Sequence, residues 1–94
     1  MQHADRPVVK LRGDYDLSRR EELREALYAH KDDDAIVIDL AEVRYMDSTG
    51  LGVLINLNKR FVLQGGPPLK LMNLQPRLQR LIRITGLEKV FDIE

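Results

Sequence analysis

Ala35-Ile36-Val37-Ile38-Asp39-Leu40, followed beyond Met46 by Asp47-Ser48-Thr49-Gly50-Leu51-Gly52-Val53-Leu54, is the stretch that decides the fold. Its first run is β-branched and almost continuously apolar, which predicts a central parallel strand covered on both faces. Asp47 predicts a helix N-cap, because its carboxylate can accept from an otherwise orphaned amide; Ser48 then takes the first helical position. A serine there is exposed, close to free backbone N–H groups and at the positive end of a helix dipole.

The helix can be laid out at steps of about 100° from Ser48. Val53, Leu54, Leu57 and Phe61 fall together, and Leu51, Ile55 and Val62 widen the same apolar arc, which reads as core. Ser48, Gly52, Asn56, Lys59 and Arg60 occupy the remaining arc. Gly52 leaves a spot without a side chain there, where another protein surface can approach closely.

Upstream, Pro7 to Arg12 alternates, with Val9 and Leu11 opposed to Val8, Lys10 and Arg12, and predicts a strand with one face toward the core. Gly13 to Leu17 reads as a turn. Ser18-Arg19-Arg20-Glu21 has the spacing of a capping box for the next helix, whose buried stripe is Leu23, Ala26 and Leu27 and whose surface allows a Glu21–Arg24 pair. Lys31 to Asp34 is a polar connection. Its three aspartates lack the alternating oxygen ligands and distal bidentate glutamate of a calcium loop, so no metal is predicted.

Downstream, Gln64-Gly65-Gly66-Pro67-Pro68 breaks the second helix. Leu69 to Asn73 alternates like a half-buried strand, and Pro76 suits the first turn of a third helix. Leu78, Leu81, Ile82 and Thr85 share a face of that helix and Gly86 ends it. Leu87, Val90, Phe91 and Ile93 of the remaining tail should pack back on the body. Arg77, Arg80 and Arg83 form a basic stripe on the outer side of the third helix, a face suited to solvent or to an acidic protein partner.

A chain of 94 residues makes one domain, spanning 1–94, and a domain of this size buries roughly 60 to 70 % of its unfolded surface. Fifteen basic and fifteen acidic residues give a formal net charge of zero, so no global field recruits nucleic acid or an anionic membrane. The arginine stripe has no interleaved aromatics, which further disfavours nucleic acid. The absence of cysteine excludes disulfides, thiolate metal sites and thiol nucleophiles. Met1 to Arg6 lacks the apolar core of a signal peptide, and no run approaches the ~18 apolar residues of a membrane span. A soluble cytoplasmic protein without a cofactor is expected.

Hydrolysis at Ser48 would require a neighbouring base and an orienting acid. The two histidines are His3, in a terminus expected to fray, and His30, at the end of the first helix, and the G-x-S-x-G turn is absent. Gly50 and Gly52 near a helix start would allow a weak anion site. The pattern of a nucleotide-hydrolysing loop is missing, and after the glycines no lysine follows until Lys59, two or more turns along.

The string Val43-Arg44-Tyr45-Met46-Asp47-Ser48-Thr49-Gly50-Leu51-Gly52-Val53-Leu54, after Ile36 to Leu40, closely resembles the bacterial anti-sigma factor antagonists of the STAS family. Gly13-Asp14-Tyr15-Asp16 resembles that family's first-turn G-E-x-D motif, and Thr85-Gly86-Leu87 its late T/S-G-L motif. The resemblance covers about Val8 to Ile93 and implies an α/β fold, a STAS-like sandwich of a small mixed β-sheet packed against helices. Relative to the family the chain is shortened at the N-terminus. Six residues precede Pro7, so a sheet of three main strands with a more exposed edge is expected.

The resemblance also implies a function. The serine matching Ser48 is phosphorylated in that family by an anti-sigma factor that is itself a serine kinase, and a phosphatase would reverse the modification. The unphosphorylated antagonist captures the anti-sigma factor and frees the sigma factor. Carried over residue by residue, Asp16 joins Asp47, Ser48, Thr49, Gly50 and Gly52 at the partner surface, with Asn56 and Lys59 continuing it along the polar arc. The alternatives are an accessory STAS subunit of a lipid-transport ATPase, a signalling scaffold and, remotely, a small serine hydrolase.

Overall fold

Strands β1 (Val8–Arg12), β2 (Val37–Glu42), β3 (Lys70–Met72) and β4 (Asp92–Ile93) alternate with helices α1 (Arg20–Tyr28), α2 (Ser48–Leu63) and α3 (Pro76–Ile84) in the computed structural model, which describes residues 6–94. The strands lie side by side in sequence order, and every neighbouring pair is parallel. The mixed sheet expected from the resemblance is therefore corrected to a parallel one among the described residues. Each strand returns to the same end of the sheet through a helical crossover, and a parallel ladder is what such crossovers build. The frayed start expected around His3 lies outside the described residues.

The expectation of three main strands is also corrected. The tail turns through a short 3-10 segment, Leu87–Lys89, and adds β4 beside β3, with Asp92 N–H donating to Leu69 O at 2.8 Å and Glu94 N–H to Leu71 O at 2.9 Å. Val9, Ile38, Leu71 and Ile93 stand in one row across the four strands. β2 is flanked on both sides, as the apolar run predicts, but begins two residues later and ends two later than that run.

A single core lies between one face of the sheet and the three helices. Val9 and Leu11 of β1, Ile38 and Leu40 of β2 and Leu71 of β3 meet Leu23 and Leu27, then Val53, Leu54, Leu57 and Phe61, then Leu78 and Ile82. Covering on both faces holds only at the start of β2. Val37 is fully buried yet stands apart from this core, whereas Asp39 on the same face is half-buried among polar partners. Burial pushes the Asp39 carboxyl up, but the Ala41 N–H, the Asn73 amide and the charge of Lys10 together outweigh it and leave the pKa lowered.

Several surface assignments change. Ala26 and Val62 are exposed, because each sits at the margin of its helix's apolar arc. Thr85 and Val90 are exposed as well, the threonine hydroxyl donating back to Leu81 O and Ile82 O. Glu21 pairs with Arg20 rather than Arg24, whose guanidinium lies 4.6 Å over the Tyr28 ring. Pro76 opens α3, and Gly86 ends it in the left-handed conformation, φ 77°, that glycine adopts without a Cβ penalty.

Candidate functional site

Asp47 caps α2 through one carboxylate oxygen, which accepts from Thr49 N–H at 2.9 Å and Gly50 N–H at 3.1 Å. Ser48 is the first helical residue and is exposed. This arrangement disposes of the weak anion site. Two of the amides that would receive an external anion already serve Asp47, whose own negative charge stands in the same place.

The turn after β1 is laced to the turn before α2. Tyr15 N–H donates to Tyr45 O at 3.0 Å, Asp47 N–H donates to Tyr15 O at 3.1 Å, and Tyr15 and Met46 form a parallel bridge. Asp16 and Ser48 each directly follow a member of the Tyr15–Asp47 hydrogen bond, so both leave the same end of the sheet side by side. Asp16 has a local role there too. It caps the 3-10 turn Leu17–Arg19, accepting from Ser18 N–H at 3.0 Å and from the Ser18 hydroxyl at 2.5 Å. These two bonds favour the ionised form and hold the Asp16 pKa below its ordinary value. The capping box expected at Ser18 and Glu21 is thus corrected: Ser18 is a donor to Asp16, and α1 starts without a side-chain cap.

Sequence reasoning missed Arg19, which holds this turn. Its guanidinium donates to Arg12 O at 3.0 Å and Asp14 O at 2.9 Å, lies 4.2 Å over the Tyr15 ring and forms a bidentate pair with Glu22. The pairing raises the Arg19 pKa and lowers that of Glu22. The readable signal was an arginine three residues before a glutamate, obscured by the capping-box pattern over the same residues.

The glycines divide by role. Around Gly52 nothing lies within 4 Å of an added Cβ, so the open spot on the polar arc is real. Gly50 is buried, and a Cβ there would run into the Met46 side chain, so its part is packing and it presents no partner surface. Thr49 is half-buried, while Asn56 and Lys59 are exposed along the helix. From Ser48 to Lys59 the exposed arc runs about 16 Å. Arg60 turns away to Lys31 O and Asp32, tying α2 to the loop before β2.

Asn58, also missed, is the one buried polar or charged residue among the described residues. Its Oδ1 accepts from Leu69 N–H at 2.8 Å and its Nδ2 approaches Val90 O at 3.5 Å, joining α2 to β3 and the tail. On the helical projection it falls between Leu54 and Leu51, a polar residue inside an apolar arc.

His30 forms a 2.8 Å contact with Asp33 beyond α1, in the connection that enters β2 from its N-terminal end. Ser48 follows the C-terminal end of that strand. The topology therefore keeps His30 from serving as a base for Ser48. No group of three or more His, Asp or Glu among the described residues is placed to hold a metal ion, and none of their helices is long and apolar enough to cross a membrane.

Known proteins share both the sequence and the architecture. The profile of the family described as "Mlab, STAS domain" matches residues 1–93. The anti-sigma-B factor antagonist of Bacillus subtilis is 45 % identical over 86 residues, covering 90 % of this chain and 78 % of the relative. The crystal structure of an anti-sigma factor antagonist from Mycobacterium paratuberculosis superposes with a TM-score of 0.83 at 30 % identity, over 97 % of this chain and 78 % of that one. The Bacillus cell fate determinant SpoIIAA in its phosphorylated form has the same fold, with a TM-score of 0.67 at 20 % identity, over 93 % and 80 % of the two chains.

Proposed function

Because the chain belongs to the STAS domain family, we propose that it is an anti-sigma factor antagonist, a non-enzymatic cytoplasmic binding protein switched by phosphorylation of Ser48. The carrying observation is the exposed Ser48 at the head of α2, with the open Gly52 one turn along the same arc. Curated relatives named anti-sigma-B factor antagonist favour this over a lipid-transport accessory subunit.

In this reading the unmodified chain captures an anti-sigma factor that is also a serine kinase, through Asp16, Asp47, Ser48, Thr49, Gly52, Asn56 and Lys59. Capture frees the sigma factor, and a phosphatase restores the modified chain. The switch is local. A phosphoryl group adds about −1.5 to −2 charge, beside an Asp47 carboxylate that already holds the first-turn amides. With those amides taken, a docked partner would have to desolvate two adjoining anions, and such like-charge juxtaposition costs several kcal/mol. Every ~1.4 kcal/mol is tenfold in affinity. Release therefore needs no change of fold, in keeping with a STAS fold that persists in phosphorylated SpoIIAA.

Calorimetry with the anti-sigma factor tests the reading. Wild type should bind, and Ser48→Asp should bind more weakly with an unchanged fold; equal affinity of the two chains would contradict the switch.

A further inference from the structure

Beside the Ser48 surface lies a groove of about 240 Å³ between the turn before α2 and the outer side of α3. Buried Met46 and Leu78 form its floor, and its walls are Tyr45 and Ile84, the isoleucine 74 % exposed. Arg77 and Arg80 edge it, with Arg44 at its end. Arg44 is paired with Asp14 at 3.3 Å, and the Arg77 guanidinium lies 5.4 Å over the Tyr45 ring. Neither Arg77 nor Arg80 forms an ion pair with a described residue. In a chain of zero net charge, three cations are thus collected around an apolar slot, two of them without an anionic partner among the described residues.

The geometry points to a second docking site here, which takes a segment of the anti-sigma partner carrying one or two large apolar side chains flanked by carboxylates. This rests on the antagonist reading and extends its contact surface. The groove is smaller than the ~300–1,000 Å³ of small-molecule pockets, a size for side chains rather than a metabolite. Its floor is apolar and its rim cationic, the complement of an acidic, apolar-tipped peptide. Lipid surfaces are recognised by clusters of roughly 4–8 Lys or Arg, more than this rim supplies. Tyr45 is the one aromatic side chain lining the groove and one face of its ring already carries Arg77, a poor platform for successive nucleic-acid bases. Continuity places the groove in the same interface: Met46 and Ser48 are two residues apart, at most about 7 Å of chain.

The test compares wild type with Arg77→Glu/Arg80→Glu, whose substitutions are solvent-facing and leave the far-UV spectrum as the check of folding. Each isotope-labelled chain is titrated with a synthetic peptide bearing leucine and phenylalanine between glutamates, with its lysine counterpart, and with phosphatidylglycerol vesicles. The glutamate peptide should move the amides of residues 44–46 and 77–84 in wild type, bind the double variant about tenfold or more weakly, and lose affinity with added salt. Perturbation elsewhere, equal binding of the lysine peptide, or a response to vesicles alone would overturn the assignment. In the second arm, the double variant should bind the anti-sigma factor about tenfold more weakly than wild type while Ser48 still accepts phosphate; unchanged affinity would remove the groove from the interface. The two readings fail separately, because the peptide arm involves neither Ser48 nor the anti-sigma factor. A wild type that captures no anti-sigma factor contradicts the antagonist reading, and with it the partner assigned to the groove, even where the peptide binds.

Discussion

The backbone N–H of Asp47 donates to the carbonyl of Tyr15 at 3.1 Å, so the residue that caps α2 is fastened to the turn that follows β1. Asp16 and Ser48, thirty-two residues apart in sequence, each directly follow one end of that bond. A surface assembled this way depends on how firmly the first turn is held.

Arg19 is the clamp on that turn, and its loss should be felt at α2. Arg19→Ala should lower the denaturation midpoint, because two side-chain-to-backbone hydrogen bonds are lost. Hydrogen exchange should speed at the Tyr15 and Asp47 amides in particular. Arg19→Lys should not restore protection, since an ammonium cannot make the planar fork to Glu22 while stacking on Tyr15. Unchanged exchange in both variants would contradict the coupling.

The two faces of α2 should separate stability from binding. Leu54 is 1 % exposed, and Leu54→Ala should cost about 2–5 kcal/mol through lost burial and a residual cavity. Asn56→Ala, on the exposed arc, should leave the denaturation midpoint nearly unchanged and weaken partner binding. Chemical denaturation that ranks the two in reverse would refute the assignment of faces.

Asn58 gives a sharper case because it is polar and buried. Asn58→Ala strands the Leu69 N–H at the start of β3 without its acceptor, which should cost about 1–3 kcal/mol. Denaturant melts would show the loss, and nearly wild-type stability would mean that water or a shifted backbone replaces the side chain.

Asp16 carries a pH signature. Its folded-state pKa lies below the ordinary 3.8 because the Ser18 hydroxyl and amide favour the carboxylate. A depressed pKa contributes stability that is present above the unfolded value and is lost as pH falls through the folded one. Carboxyl-detected NMR should find the midpoint below 3.8, and Ser18→Ala should move it upward. A midpoint that ignores the substitution would contradict the cap.

The legibility of this chain follows the reach of its interactions. β2 and α2 were readable because period and capping are local: Asp47 caps, Ser48 begins the helix and Leu57 and Phe61 are buried where the projection puts them. β4 was not, since a two-residue strand has no period of its own and its ladder belongs to Leu69 and Leu71. Arg19 and Asn58 escaped for the same reason, their partners lying across the fold or in a turn. The family resemblance carries Gly50 to the partner surface, and only packing against Met46 reveals it as interior.

In the proposed reading the function turns on Ser48, and phosphate transfer from an anti-sigma kinase is the most direct measurement of it. Wild type and Ser48→Ala are incubated with the kinase and ATP, and the phosphopeptides are mapped so that the neighbouring Thr49 is told apart. The account predicts one modified site in wild type, at Ser48, and none in Ser48→Ala, which still folds and still binds the kinase. Equal modification of the two chains, or mapping to Thr49, would contradict it.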